Sequence, residues 1–159
     1  MSRKQYMANI LVAEDNRLEG AMLENMLQGF GCTVDIATGL DVADRLDEKY
    51  SIIFLDINMP GISGFNIAKS LQNKNNQNKN KENDSNSPAI IFLSSEEYDE
   101  EMKNKCLEYN VDGYIQKPMT KEILGELLEE FIPVHEISIV SGEMGSGVAK
   151  GFFRKVKKK

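Results

Sequence analysis

The feature that most constrains this chain is an alternation, repeated five times, of a short apolar run with a segment of helical periodicity. The runs are ANILVA (8–13), CTVDIA (32–37), SIIFLD (51–56), AIIFLS (89–94) and VDGYI (111–115). Most are apolar without a break, which suits strands covered on both faces rather than strands with one face in water. Between the first two, Asn16 with Glu19 three residues on reads as an N-cap pair. It opens an apolar stripe of Leu18, Met22, Leu23, Met26, Leu27 and Phe30, and Gly31 closes it. A short helix from Leu40 to Leu46 begins at Thr38, and further helical patterns run from Gly64 to Leu71 and from Glu97 to Tyr109. Thr120 caps a last helix bearing Ile123, Leu124, Leu127, Leu128 and Phe131. Strands that alternate with helices on short connections make βαβ units. The expected fold is therefore α/β: a doubly wound, five-stranded parallel sheet with five helices.

Composition sets the boundaries of that fold. The 159 residues, 41% of them hydrophobic, are enough for one domain with a sizeable core. We place that domain at 7–132. QNKNNQNKNKENDSNS (72–87) has nothing apolar to bury and reads as a flexible insertion. Residues 133–159 are expected to form an extension with a basic end rather than an output domain. The formal net charge of −6 argues against general nucleic-acid binding. Cys32 and Cys106 lack metal-type spacing and suit a reduced, cytosolic protein. The polar start MSRKQYMAN and the short run after it fit neither a signal peptide nor a membrane span, so the expected localisation is cytoplasmic.

The residues that carry chemistry stand at the strand tips. In a parallel sheet the carboxyl ends share one edge, where ligands bind. The first run ends on Glu14 and Asp15, the third on Asp56, the fourth on Ser94 and Ser95, and the fifth leads to Lys117-Pro118. Clustered carboxylates repel unless a cation neutralises them. Oxygen donors with water in the remaining positions describe a magnesium site better than a zinc site. A metal, a lysine and a hydroxyl around a carboxylate suit a phosphoryl group, and an aspartate can attack phosphorus to give an aspartyl phosphate. A cis peptide before Pro118 is a further expectation, since it turns the lysine back toward the pocket.

The ordered set AED, LDINMPGISG, LSS and GYIQKP resembles the receiver domain of two-component response regulators, over roughly residues 8 to 131. That resemblance implies a flavodoxin-like fold and a role for each matching position. Asp56 matches the phosphoacceptor. Asp15 matches the acid that ligates magnesium directly, Glu14 the one that does so through water, and the Asn58 backbone carbonyl a further ligand. Lys117 matches the phosphate-pairing lysine and Tyr114 the switch aromatic, while Met59, Pro60 and Gly64 match the loop that shapes the pocket. For the switch hydroxyl, strand pattern selects Ser94, whereas the family spacing counted back from Lys117 selects Ser95; Ser94 is preferred. The implied partners are a histidine kinase or histidine phosphotransfer protein and a downstream protein. Phosphorylation would draw Ser94 toward the phosphate and Tyr114 inward.

Other features read more plainly. His135 lies outside any helical pattern and is taken as a surface residue rather than a phosphohistidine carrier. GEMGSGVAKG (142–151) lacks P-loop spacing and reads as a connector. The ending FFRKVKKK is either a solvated tail or a contact for an anionic membrane, with nucleic acid a weaker choice. Two rival functions follow: a tether acting through that tail, and an aspartyl-phosphate phosphatase of the haloacid dehalogenase type. The phosphatase resemblance fails at its second aspartate, because Asn58 stands two residues after Asp56.

Overall fold

Ile10 and Val12 pack on one side of a sheet, and Leu11 and Ala13 on the other, each fully out of water. This two-sided burial explains the unbroken apolar run, and it recurs in every central strand. The computed structural model describes residues 2–38, 41–45, 49–77, 87–132, 137–141 and 153–155. Its parallel strands are β2 (Asn9–Ala13), β3 (Thr33–Ala37), β4 (Ile52–Asp56), β5 (Ala89–Ser94) and β6 (Gly113–Gln116). The helices are α1 (Arg17–Gly29), α2 (Val42–Arg45), α3 (Gly64–Gln77), α4 (Glu100–Glu108) and α5 (Lys121–Phe131). Leu23 and Leu27 of α1 share one core with Ile123, Leu124, Leu127 and Leu128 of α5. Ile67, Ala68 and Leu71 of α3 share the other with Met102 and Cys106 of α4. The doubly wound expectation holds.

Capping follows the sequence closely. Asn16 Oδ1 accepts hydrogen bonds from the Leu18 and Glu19 amides, both at 3.1 Å, and Thr120 Oγ1 accepts from Ile123 N at 3.3 Å. The fourth helix starts later than its pattern suggested, because Asp99 takes the N-cap and accepts from Met102 N at 2.8 Å.

Three strands and the last six residues of one helix lie beyond the expected design. β1 (Ser2–Tyr6) pairs antiparallel with β7 (Ile137–Ser141), in register from Ser2↔Ser141 to Tyr6↔Ile137. β8 (Phe153–Lys155) adds antiparallel to β6, with Tyr114 opposite Arg154. The sheet order is therefore β3-β2-β4-β5-β6-β8. Segments expected as a polar leader and a free tail thus supply strands outside 7–132. The third helix also ends later than its pattern suggested. Helix α3 runs through Gln77, six residues into the 72–87 stretch, because extending an existing helix needs no apolar face. Residues 78–86, His135, the glycine-rich 142–151 stretch and the basic end 156–159 fall outside the described residues. No helix among the described residues is long and apolar enough to cross a membrane.

Candidate phosphorylation site

The chain leaves β2 for β3 on one side and returns to β4 on the other, so a crevice opens at the carboxyl ends of β2 and β4. Ala13 pairs with Leu55, which brings the next residues, Glu14 and Asp56, side by side at that crevice. Both carboxylates are nearly buried, 3% and 7% exposed. Asp56 Oδ1 accepts from the Asn58 amide at 2.8 Å, and Glu14 Oε1 accepts from the Asn16 amide at 3.1 Å.

Lys117 completes the group. Its Nζ donates to Glu14 Oε2 at 3.0 Å, Asp56 Oδ2 at 3.0 Å and Glu19 Oε2 at 2.6 Å. The Lys117-Pro118 peptide is cis, as expected. Burial works against the ammonium, but the bonds to Glu19, Asp56 and Glu14 outweigh it and hold its pKa above the ordinary lysine value. The Glu14 carboxyl is pushed up to about 7, by burial first and then by the hydrogen bond it shares with Asp56. One cation thus serves three carboxylates, and the site is short of positive charge.

Among the described residues, Glu14, Glu19 and Asp56 bring carboxylate oxygens within 4.8 Å of one another. Such hard oxygen donors fit magnesium. Asp15, half-buried beside Glu14, stands outside that set. Glu19 was not foreseen as a site residue. Its capping role was legible, but Glu14 takes the Asn16 amide, and Glu19 turns to Lys117 instead. The signal lay in its place, on the first turn of a helix that starts at the same sheet edge.

Strand alternation separates the two serines. Ser94 is buried at 1% exposure and Ser95 is exposed. Ser94 Oγ accepts from Glu96 N at 3.0 Å and lies 3.5 Å from Asn58 Nδ2. Tyr114 is fully buried, its hydroxyl donates to the Glu96 carbonyl, and its ring lies 5.2 Å from that of Tyr98. The expected inward movement of Tyr114 therefore meets a ring that is already inside. Burial also raises the phenol pKa. Gly64 is pressed against the backbone of Asp56 and Ile57, and Met59 is buried in the core.

The comparisons with known proteins agree with this fold. Relatives include hybrid signal transduction histidine kinase L of Dictyostelium discoideum, 28% identical over 130 residues, covering 79% of this chain and 7% of that protein. Histidine protein kinase 1 of Candida albicans is 32% identical over 132 residues, covering 79% of this chain and 5% of its own length. The chain thus spans a small part of each of these relatives. Among solved structures, the receiver domain of Ssk1 in its co-crystal with the histidine phosphotransfer protein Ypd1 of Saccharomyces cerevisiae superposes with a TM-score of 0.73. It is 23% identical, and the match covers 83% of this chain and 93% of that one. Chemotaxis protein CheY4 of Vibrio cholerae gives a TM-score of 0.67 at 23% identity, over 79% of this chain and 99% of that one. The response regulator receiver domain model matches residues 10–129, the span that holds Glu14, Asp56, Ser94 and Lys117, and the chain belongs to that family.

Proposed function

We propose that Asp56 is the residue that accepts the phosphoryl group, from a phosphohistidine on a kinase or a histidine phosphotransfer protein. One observation carries the assignment: the Lys117 ammonium bridges Asp56 Oδ2 and Glu14 Oε2 at 3.0 Å each, at the switch-point crevice. A carboxylate oxygen of Asp56 forms the bond to phosphorus while the P–N bond to the imidazole breaks, and the electron pair leaves with the nitrogen. Lys117 stays close enough to pair with a phosphoryl oxygen, and the Asn58 amide holds the other Asp56 oxygen. Glu14, Asp15 and Asp56, with the Asn58 carbonyl, would hold Mg2+, which when bound neutralises phosphoryl oxygens.

Ser94 is the hydroxyl placed to follow the phosphate. Its Oγ and the Tyr114 hydroxyl both bond the peptide groups of Glu96, so a shift of Ser94 reaches the buried Tyr114 through one residue. The readout is phosphorylation-dependent binding or onward phosphotransfer, working in the cytoplasm as a signalling domain rather than as an enzyme with a separate substrate. Neither the tether nor the phosphatase reading is favoured, since the match lies in the receiver and β8 pairs with its sheet. The test is labelling by a small acyl phosphate with Mg2+ present. Wild type should be labelled and Asp56→Asn should not; full labelling of the variant would move the acceptor elsewhere.

A further inference from the structure

We propose that Glu19 is a positioning residue of this site, holding the Lys117 ammonium before phosphorylation and competing with the phosphoryl group for it afterwards. The inference rests on Asp56 and Lys117 being the phosphorylation site, and it adds a residue that lies outside the receiver-like motifs. An ammonium has three N–H donors. Here Glu14, Asp56 and Glu19 each hold Lys117 Nζ, and the 2.6 Å contact to Glu19 is the shortest of the three. The Asp56 oxygen that bonds phosphorus gives up its charge and its donor to one phosphoryl oxygen, so a second phosphoryl oxygen that pairs with Lys117 must displace Glu14 or Glu19.

Exposure decides which one yields. The Glu14 side chain is 3% exposed, so freeing it from the ammonium leaves a buried carboxylate short of a partner. The Glu19 side chain is 46% exposed and can turn to water. Glu19 is also anchored by a helix start, because its own amide donates to Asn16 Oδ1 at 3.1 Å. Its carboxylate thus hangs over the site from a fixed point. Before phosphorylation it keeps the ammonium at the mouth of the crevice. After phosphorylation it opposes the new pairing, both by holding the donor and by its charge.

The two contributions separate by substitution. Glu19→Gln removes the charge, while Glu19→Asp keeps the charge and draws it back by one methylene. The experiment titrates wild type, both variants and Asp56→Asn with beryllofluoride. Mg2+ is held at a level shown to saturate each protein, and the amide NMR spectrum reports binding. Melting of each metal-free protein is measured alongside. Both Glu19 variants should bind beryllofluoride more tightly than wild type, by roughly threefold to tenfold, as suits one half-exposed ionic contact. Tightening in Glu19→Gln but not in Glu19→Asp would assign the effect to charge alone and overturn the positioning role. Unchanged or weaker binding in both variants would overturn it as well, and with lowered melting would leave Glu19 a structural residue. Failure of wild type to bind, or equal binding by Asp56→Asn, would instead remove the assignment of Asp56, and the inference with it.

Discussion

Gly64 stands so close to Asp56 that a Cβ on it would lie 2.7 Å from the Asp56 carbonyl oxygen and 3.0 Å from Ile57 Cα. Both obstacles are backbone, and neither can rotate away. The first residue of α3 is thus pressed against the strand end that carries the acceptor. Gly64→Ala should cost about 1–3 kcal/mol of stability, the usual range for forcing an atom into packed structure. It should also slow labelling of Asp56 by a small phosphodonor. Urea unfolding and a labelling time course check both; a variant equal to wild type in each would mean that the loop gives way freely.

Removing the cation should expose the charge imbalance of the site. Lys117→Met leaves Glu14, Glu19 and Asp56 without the ammonium that all three contact. We expect the metal-free variant to lose on the order of 1–3 kcal/mol at neutral pH, since the pairs are partly buried. Added Mg2+ should raise its melting temperature by more than it raises that of wild type. Equal magnesium shifts in the two proteins would count against a shared carboxylate site.

How far the sequence carried can be judged from these same residues. Ile10, Leu11, Val12 and Ala13 announced a strand buried on both faces, because the run is too short for a buried helix and alternates with helical segments. Asp56 was legible because it ends an apolar strand, and Lys117 because it stands with a proline just past another. Glu19 was not, because a first-turn glutamate already has a sufficient reason to be there. The strands β1, β7 and β8 were missed for a different reason. Edge pairing is made by backbone groups, and SRKQY or FRK can pair as well as an apolar segment if a partner lies alongside. The turns of α3 past Leu71 were missed because polar residues say nothing about burial.

The tail strand gives a third prediction. With β8 in place, Gly113, Tyr114 and Ile115 lie between two strands rather than at the edge of the sheet. Deleting residues 142–159 should speed amide hydrogen exchange at these three residues and leave exchange in β2 and β4 unchanged. Protection of Gly113–Ile115 that survives the deletion would show that β8 contributes nothing to it.

The two thiols give a prediction about pH. Burial pushes Cys32 up to about 12 and Cys106 up to about 11, from an ordinary 9.0. A group whose proton is held more tightly in the folded state stabilises it fully below the unfolded pKa, and that contribution falls as pH rises from 9 toward 11 and 12. By pH 10.5 the loss is roughly 2 kcal/mol per thiol. Urea midpoints at pH 8 and pH 10.5 should show the fall, and Cys106→Ala should show a smaller one. Iodoacetamide at pH 8 should leave the native thiols unmodified and label both in urea.

Glu96 joins Ser94 to Tyr114 by its main chain alone: its amide donates to Ser94 Oγ, and its carbonyl accepts from the Tyr114 hydroxyl. Neither contact reads the side chain, which is exposed. Substitution at this position is therefore uncoupled from the link it makes. A lineage can change the charge or size of residue 96 to suit one recognition surface after another while the connection beneath it persists. Proline, which lacks the N–H, is the replacement that the link itself forbids.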